Sequence, residues 1–319
     1  MMTPRTVGLG IAIIAAATSL SVLFLPAMTA PIQPSEIFRA RTTIENQGRV
    51  LYIRNGCIGC HTQYIRPSDW AFEPLRVSQA GDYIADSPHL LGSERTGPDL
   101  SQEGGLHPDD WQAAHFHDPR FVRPASIMPD FGFFSDNQLR ELIAYVQSLG
   151  GTMADARVAR QNYWKPALIA AYTRGQDANA EYLYAHVPPQ WATLPNPYPA
   201  DANALAQGEF VYEQECINCH GPVGDGRGVA APYLNPKPFN FTVLKRQPWS
   251  GGLLYYQIMN GITGSAMPYF KDDLESAKIW DVSNYIATQF IGTAPTLPKV
   301  PIPFQGAIPA SREPKGNKQ

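Results

Sequence analysis

The sequence predicts an all-α chain in which one N-terminal membrane-spanning helix precedes two small helical domains of related design. Three observations predict it. Residues 6–28 carry no charged side chain. A segment around Gly48 recurs around Gly208. Each copy is followed, well downstream, by an apolar run of helical period that stops at a glycine. With 319 residues, 44% hydrophobic and 17% charged, the chain can bury two cores and is too balanced for disorder. A net charge of −3 leaves no basic footprint for nucleic acid. All eight lysines follow residue 151, so the first half presents the more acidic surface.

The uncharged run 6–28 is long enough to cross a bilayer. A cleaved leader is the competing reading, but the apolar part of a leader runs to roughly 7–15 residues. The best cleavage position here, after Ala30, is flanked by Met28 and Pro31, which suit it poorly. The expectation is therefore an uncleaved, single-pass anchor in the inner membrane. With Arg5 on the inside, the remaining chain lies on the periplasmic side.

In the first domain, expected over 43–150, Gly48-Arg-Val-Leu-Tyr52 leads to Cys57-Ile-Gly-Cys-His61. In the second, expected over 204–293, Gly208-Glu-Phe-Val-Tyr212 leads to Cys216-Ile-Asn-Cys-His220. Each stretch reads as a Gly-initiated helix of about three turns that delivers the cysteines and the histidine at its end. The first domain closes on a helix opened by the capping box Ser135-Asp-Asn-Gln138, with Leu139, Leu142, Ile143, Val146 and Leu149 on one face and Gly150 as its stop. The second closes on Ile279, Val282, Ile286 and Phe290 ahead of Gly292, with Tyr285 placed as Tyr145 is. A Met-Pro pair precedes each closing helix, at Met128 and Met267. Between the domains, 151–203 starts with a helix from Ala154 to Ala171 and continues through Pro188, Pro189, Pro195, Pro197 and Pro199, which reads as a stiff extended spacer. Residues 294–319 read as a proline-rich tail.

Only four cysteines occur, all of them in the two C-x-x-C pairs, so a disulfide scaffold is excluded. A histidine follows each pair directly, which is the attachment signature of c-type haem. Cys57, Cys60, Cys216 and Cys219 would form thioether bonds to two haems, and His61 and His220 would be the proximal iron ligands. A zinc knuckle or a redox dithiol is the alternative, and an exported chain with two copies suits neither. An electron carrier needs a second strong axial donor, and a Met thioether supplies one while raising the potential. Met128 and Met267 hold matched positions and are the candidates. Met259 reads as core packing on the helix Leu253 to Asn260. His115 and His117 could offer a bis-His site in domain one but read as side chains at the end of a helix starting near Pro108. His89, His107 and His186 have no counterpart in the repeat. A proximal His needs its other ring nitrogen tied to an acceptor. The loops carrying Pro98 and Pro232 are candidates to supply it, the second competing with Asn235–Pro238.

The strings Gly56-Cys-Ile-Gly-Cys-His-Thr-Gln-Tyr-Ile-Arg-Pro67, Leu91-Gly-Ser-Glu-Arg-Thr-Gly-Pro-Asp-Leu100, His115–Pro124 and Ile127-Met-Pro-Asp130 resemble the monohaem subunit II of cbb3-type cytochrome oxidases. Residues 204–293 are similar to class I cytochrome c domains. The resemblance implies His61 and Met128 as axial ligands and a role in passing electrons to a membrane haem-copper catalytic subunit. The donor would be a soluble cytochrome or a quinol-oxidising complex. Nitric oxide reductase cytochrome subunits, the cytochrome subunit of a quinol-oxidising complex, and dihaem peroxidases are the rival readings. The usual subunit II carries one haem, so the second domain is the departure from that family.

Overall fold

A computed structural model describes residues 3–25, 28, 32–69, 76–92, 94–246 and 248–293; the proline-rich tail lies outside them. Among the described residues the chain is helices and loops without a β-strand, as the sequence predicts. Helix α1 (Pro4–Ser19) starts at a Thr3 cap with proline in its first turn and runs on through a wide turn at Leu20–Phe24. The span Pro4–Phe24 has a mean hydropathy of 2.2 and buries nothing against the protein, which suits a helix whose solvent is lipid.

Domain one is built on α2 (Thr43–Arg54), α3 (Asp109–His117) and α4 (Asp136–Ser148). Helix α2 opens on a Thr42–Glu45 capping box, five residues before Gly48, so Gly48 does not start the helix as expected. Its role is the crossing of α2 and α4: a Cβ there would land on the Glu141 carbonyl and 2.8 Å from the Tyr145 Cβ. Helix α4 is capped by Ser135 and buries Leu142, Ile143 and Val146. At the crossing, Tyr52 and Tyr145 meet edge to face at 5.3 Å, and the Gln63 amide donates to the Tyr145 hydroxyl at 2.9 Å.

The segment after domain one begins with the expected helix, but its second half departs from the expected extended form. It folds into α5 (Gly151–Thr173), α6 (Gln176–Ala185) and the short α7 (Pro189–Ala192). Proline composition pointed to extension. However, Pro189 sits in the first turn of α7, where its missing N–H costs nothing, and Leu168, Ala171, Leu183, Val187 and Ala192 are all buried. Burial of these apolar residues outweighs the stiffness of isolated prolines.

Domain two repeats the plan. Helix α8 (Ala202–Val211) is capped by Asp201 and passes through a wide turn at Tyr212–Cys216 into α9 (Ile217–His220). Helix α10 (Gly251–Asn260) and α11 (Ser276–Ile286) complete it, the latter extended to Ile291 and ended by Gly292 at φ 66°. Gly208 lies within α8, where a Cβ would land on the Asp281 carbonyl, so the two glycines of the repeat do the same work. The domains are docked on each other. Trp111, Ala114 and Val122 of domain one pack with Ala230, Leu234 and Ala266 of domain two. Arg123 reaches Glu215 at 2.6 Å and Asp273 at 3.0 Å, and Asp110 receives Lys165 at 3.1 Å and the Asn235 N–H at 2.8 Å.

Candidate haem sites

Each C-x-x-C-H motif sits where its first helix ends. In domain one Gly56, at φ 73°, turns the chain out of α2 into a single 3-10 turn over Cys57–Gly59. The His61 N–H donates back to the Cys57 carbonyl at 3.0 Å, placing His61 beside the cysteines. Its Nδ1 faces the Pro98 carbonyl at 2.9 Å, leaving Nε2 as the metal-facing nitrogen. Gly97 lies flat against the ring; a Cβ there would come within 2.8 Å of both ring nitrogens. The loop that carries Pro98 is held from beneath by Asp99, whose side chain is fully buried. Asp99 accepts from the Thr62 hydroxyl at 2.5 Å and the Tyr64 N–H at 2.8 Å, and Arg95 joins it to Asp69.

In domain two the corresponding ring is more deeply enclosed. His220 is 7% exposed, and burial pushes its pKa down to about 4, so the ring is neutral at pH 7. Its Nδ1–H donates to the Phe239 carbonyl at 3.0 Å, and the ring stacks on Phe241 at 4.5 Å. Phe239 thus holds the place expected for Pro232, whose carbonyl accepts instead from Lys237 Nζ at 2.9 Å. The reason is the 3-10 turn Phe241–Lys245, which brings the 236–239 loop across His220 while Pro232 stays in its own short turn.

The two Met-Pro turns match at the atomic level. The Met128 N–H donates to the Ser126 hydroxyl at 3.2 Å, and the Met267 N–H donates to the Ser265 hydroxyl at 3.1 Å. These serines were missed in the sequence, although the shared pattern Ser-x-Met-Pro is legible there. Met128 and Cys57 pack against the same apolar cluster of Tyr52, Phe116, Leu142 and Val146. Met267 and His220 both line two adjoining cavities, of about 820 and 470 Å³. The first also has Cys216 and Cys219 in its wall. Both cysteines, one proximal nitrogen and one thioether therefore open onto one apolar slot, and these residues fit a covalently attached haem. Burial pushes the Cys57 thiol up to about 11 and Cys219 to about 12, and raises Cys216 as well. Among the described residues, no three His, Cys, Asp or Glu side chains gather as a metal site, which leaves the zinc alternative without support.

Of the remaining histidines, His89 is exposed and the other four make ring, ion-pair or hydrogen-bond contacts. His107 faces Glu103 at 2.8 Å, His117 stacks on Tyr233 of domain two at 4.8 Å, and His186 faces the Tyr182 carbonyl at 2.6 Å. His115 stacks on Trp111. Met259 packs against the domain-two core.

Residues 4–146 match the family described as cytochrome C oxidase, mono-heme subunit/FixO, and residues 203–286 match that described as cytochrome C oxidase, cbb3-type, subunit III. The two halves of the chain therefore each match a cytochrome c family of cbb3-type oxidases, which implies covalently bound haem c, and an apolar helix long enough to cross a membrane lies at the start of the first match. It is also similar to thiosulfate dehydrogenase of Thiomonas intermedia (strain K12), 30% identical over 122 residues. That match covers 36% of this chain and 34% of the relative, so the chain spans about a third of the relative's length. Among solved structures, a reducing HAO-like protein complex of Kuenenia stuttgartiensis is 18% identical, with 80% of this chain and all of that one covered at a TM-score of 0.29.

Proposed function

We propose that the chain is a dihaem electron relay, taking electrons from a donor on the periplasmic side and delivering them to the membrane haem-copper catalytic subunit of a cbb3-type oxidase. The observation that carries it is the repeat of one complete ligand set. Each copy has a C-x-x-C pair, a His whose Nδ1 faces a carbonyl, and a Met whose N–H is fixed by the serine two residues before it. When bound, a c-type haem supplies a one-electron ferric/ferrous couple at each site.

The residues divide the remaining work. Cys57 and Cys60, and Cys216 and Cys219, tether the porphyrin edge. His61 and Met128 would hold the iron in domain one, and His220 and Met267 in domain two. The Pro98 and Phe239 carbonyls hold the proximal rings in one orientation and raise their basicity toward iron. The apolar wall of Phe241, Leu244 and Leu253 keeps water from the second site and favours the less charged reduced state. Helix α1 keeps domain one beside the membrane partner, and the proposed order of transfer is donor, His220 site, His61 site, catalytic subunit. A cytochrome subunit of a nitric oxide reductase would use the same parts, and co-purification of the catalytic subunit in mild detergent separates the two. A dihaem peroxidase would need an iron with an open position. Mass spectrometry of the whole chain should show two haems, and the reduced protein should not bind carbon monoxide. One haem per chain, or carbon monoxide binding at either iron, contradicts this reading.

A further inference from the structure

One nine-residue helix separates the two candidate sites. Helix α3 turns Phe116 and Ala113 into the apolar cluster that also holds Cys57, Ile58 and Met128 of domain one. It turns Trp111 and Ala114 the other way, into the cluster packed against Cys219 of domain two. Trp111, 7% exposed, forms part of the wall of the 820 Å³ cavity that Cys216, Cys219, His220 and Met267 line. A helix with its side chains is about 10 Å across, so the sites lie roughly one helix thickness apart.

Along α3 and the turn that leads into it, three rings are in register. The indole of Trp111 stacks on His107 at 3.8 Å with planes 19° apart, and on His115 at 4.9 Å with planes 11° apart. The spacing of four residues, close to one turn, is what lines them up. His115 has an enclosed Nδ1 with no hydrogen-bond partner among the described residues, and its electrostatic neighbours include both His61 of the first site and Arg123 in the wall of the second. A buried, unpaired ring nitrogen is costly. Arg123 holds the arrangement shut through Glu215, the residue immediately before Cys216, and through Asp273.

Resting on the relay reading above, we propose that α3 is the electron bridge between the two sites, with the Trp111 indole as its contact on the domain-two side, His115 stacked on that indole, and Phe116 facing the domain-one cluster. The step moves one electron. The ferrous iron held by His220 is oxidised to ferric and the ferric iron held by His61 is reduced to ferrous, with no bond made or broken and no proton required. The packing of Trp111 matters because electronic coupling decays faster across empty space than across atoms in contact, and an indole fills a volume that a methyl group cannot.

The test uses the full-length protein carrying its haems. One site is reduced by a light pulse and the absorbance of both is followed, in the wild type and in Trp111→Ala, Trp111→Phe and His115→Leu. Reduction potentials, visible spectra and the melting curve are recorded for each. The expected result is exchange between sites that is many-fold slower in Trp111→Ala, largely restored in Trp111→Phe and several-fold slower in His115→Leu, with both potentials and both spectra unchanged. A wild-type rate in Trp111→Ala, or slowing explained by a shifted potential, overturns the bridge while leaving the relay intact. Absence of any exchange in the wild type overturns the relay reading, and the bridge with it. Arg123→Gln is the control for docking alone: it should loosen the interface and slow exchange, whereas unchanged exchange with a separated interface counts against α3 as the path.

Discussion

The two halves carry one attachment motif in two different environments. Domain one holds its site by charge: Asp99, fully buried, gathers Thr62, Tyr64 and Arg95 under the loop whose Pro98 carbonyl faces His61, while Cys60 stays exposed. Domain two holds its site by apolar enclosure: Phe241 stacks on His220, Phe239 and Leu244 close the slot, and His220 and Cys216 are buried. A motif fixes which atoms can bind a cofactor, and the surroundings decide what that cofactor feels. The surroundings of each site set its potential, so the two halves should differ in it.

Breaking each support should damage one site and spare the other. Phe241→Ala removes a side chain 9% exposed from the domain-two core and should cost about 4 kcal/mol, read as a lowered melting transition together with a disturbed spectrum at the second site only. Asp99→Ala leaves Arg95 without its buried carboxylate and should cost about 3 kcal/mol, with the spectral change confined to the first site. A change that spreads equally to both spectra would show that the sites are not independently supported. Next in size come the crossings the halves share. Gly48→Ala and Gly208→Ala each push a Cβ onto a carbonyl of the facing helix and should cost about 2 kcal/mol apiece, measured by thermal or denaturant unfolding. Nearly equal losses are expected, because the crossing is the feature the halves have in common.

The smallest effect is a pH dependence located between the halves. Burial, with a contribution from nearby His107, holds His115 down to about 4 against an ordinary 6.5. A folded pKa below the unfolded one means that the unfolded chain takes up the proton first as the solution is acidified. The contribution of His115 is therefore complete above pH 6.5 and is lost as pH falls from 6.5 through 4. Unfolding curves should show stability falling across that window, and His115→Leu should flatten the slope. An unchanged slope in the variant would place the proton uptake elsewhere.

Much of this was legible in the sequence. The closing helices follow from apolar spacing and end where Gly150 and Gly292 adopt positive φ. The motif names its own cysteines and histidines. Three things were not legible, each for a physical reason. The acceptor of His220 is a backbone carbonyl nineteen residues away, and a carbonyl carries no side-chain signature. The glycines of the repeat looked like helix starts, because close approach of a second helix is invisible until that helix is placed. The stretch after the expected helix Ala154–Ala171 looked extended because its prolines are conspicuous, while the burial of Leu183, Val187 and Ala192 depends on partners elsewhere in the chain. The docking of the two domains through Trp111 and Arg123 follows from that folded segment and could not be read from either half alone.

The account rests most heavily on the presence of one His/Met pair at each of two irons. The direct measurement is the near-red sulfur-to-iron absorption of the oxidised protein in the wild type, Met128→Ala and Met267→Ala, with haem content determined on the same samples. The prediction is two haems per chain in all three, with each variant losing half of the band and the two losses together accounting for all of it. A full-strength band in either variant, or a wild-type band that a single substitution abolishes, would contradict it.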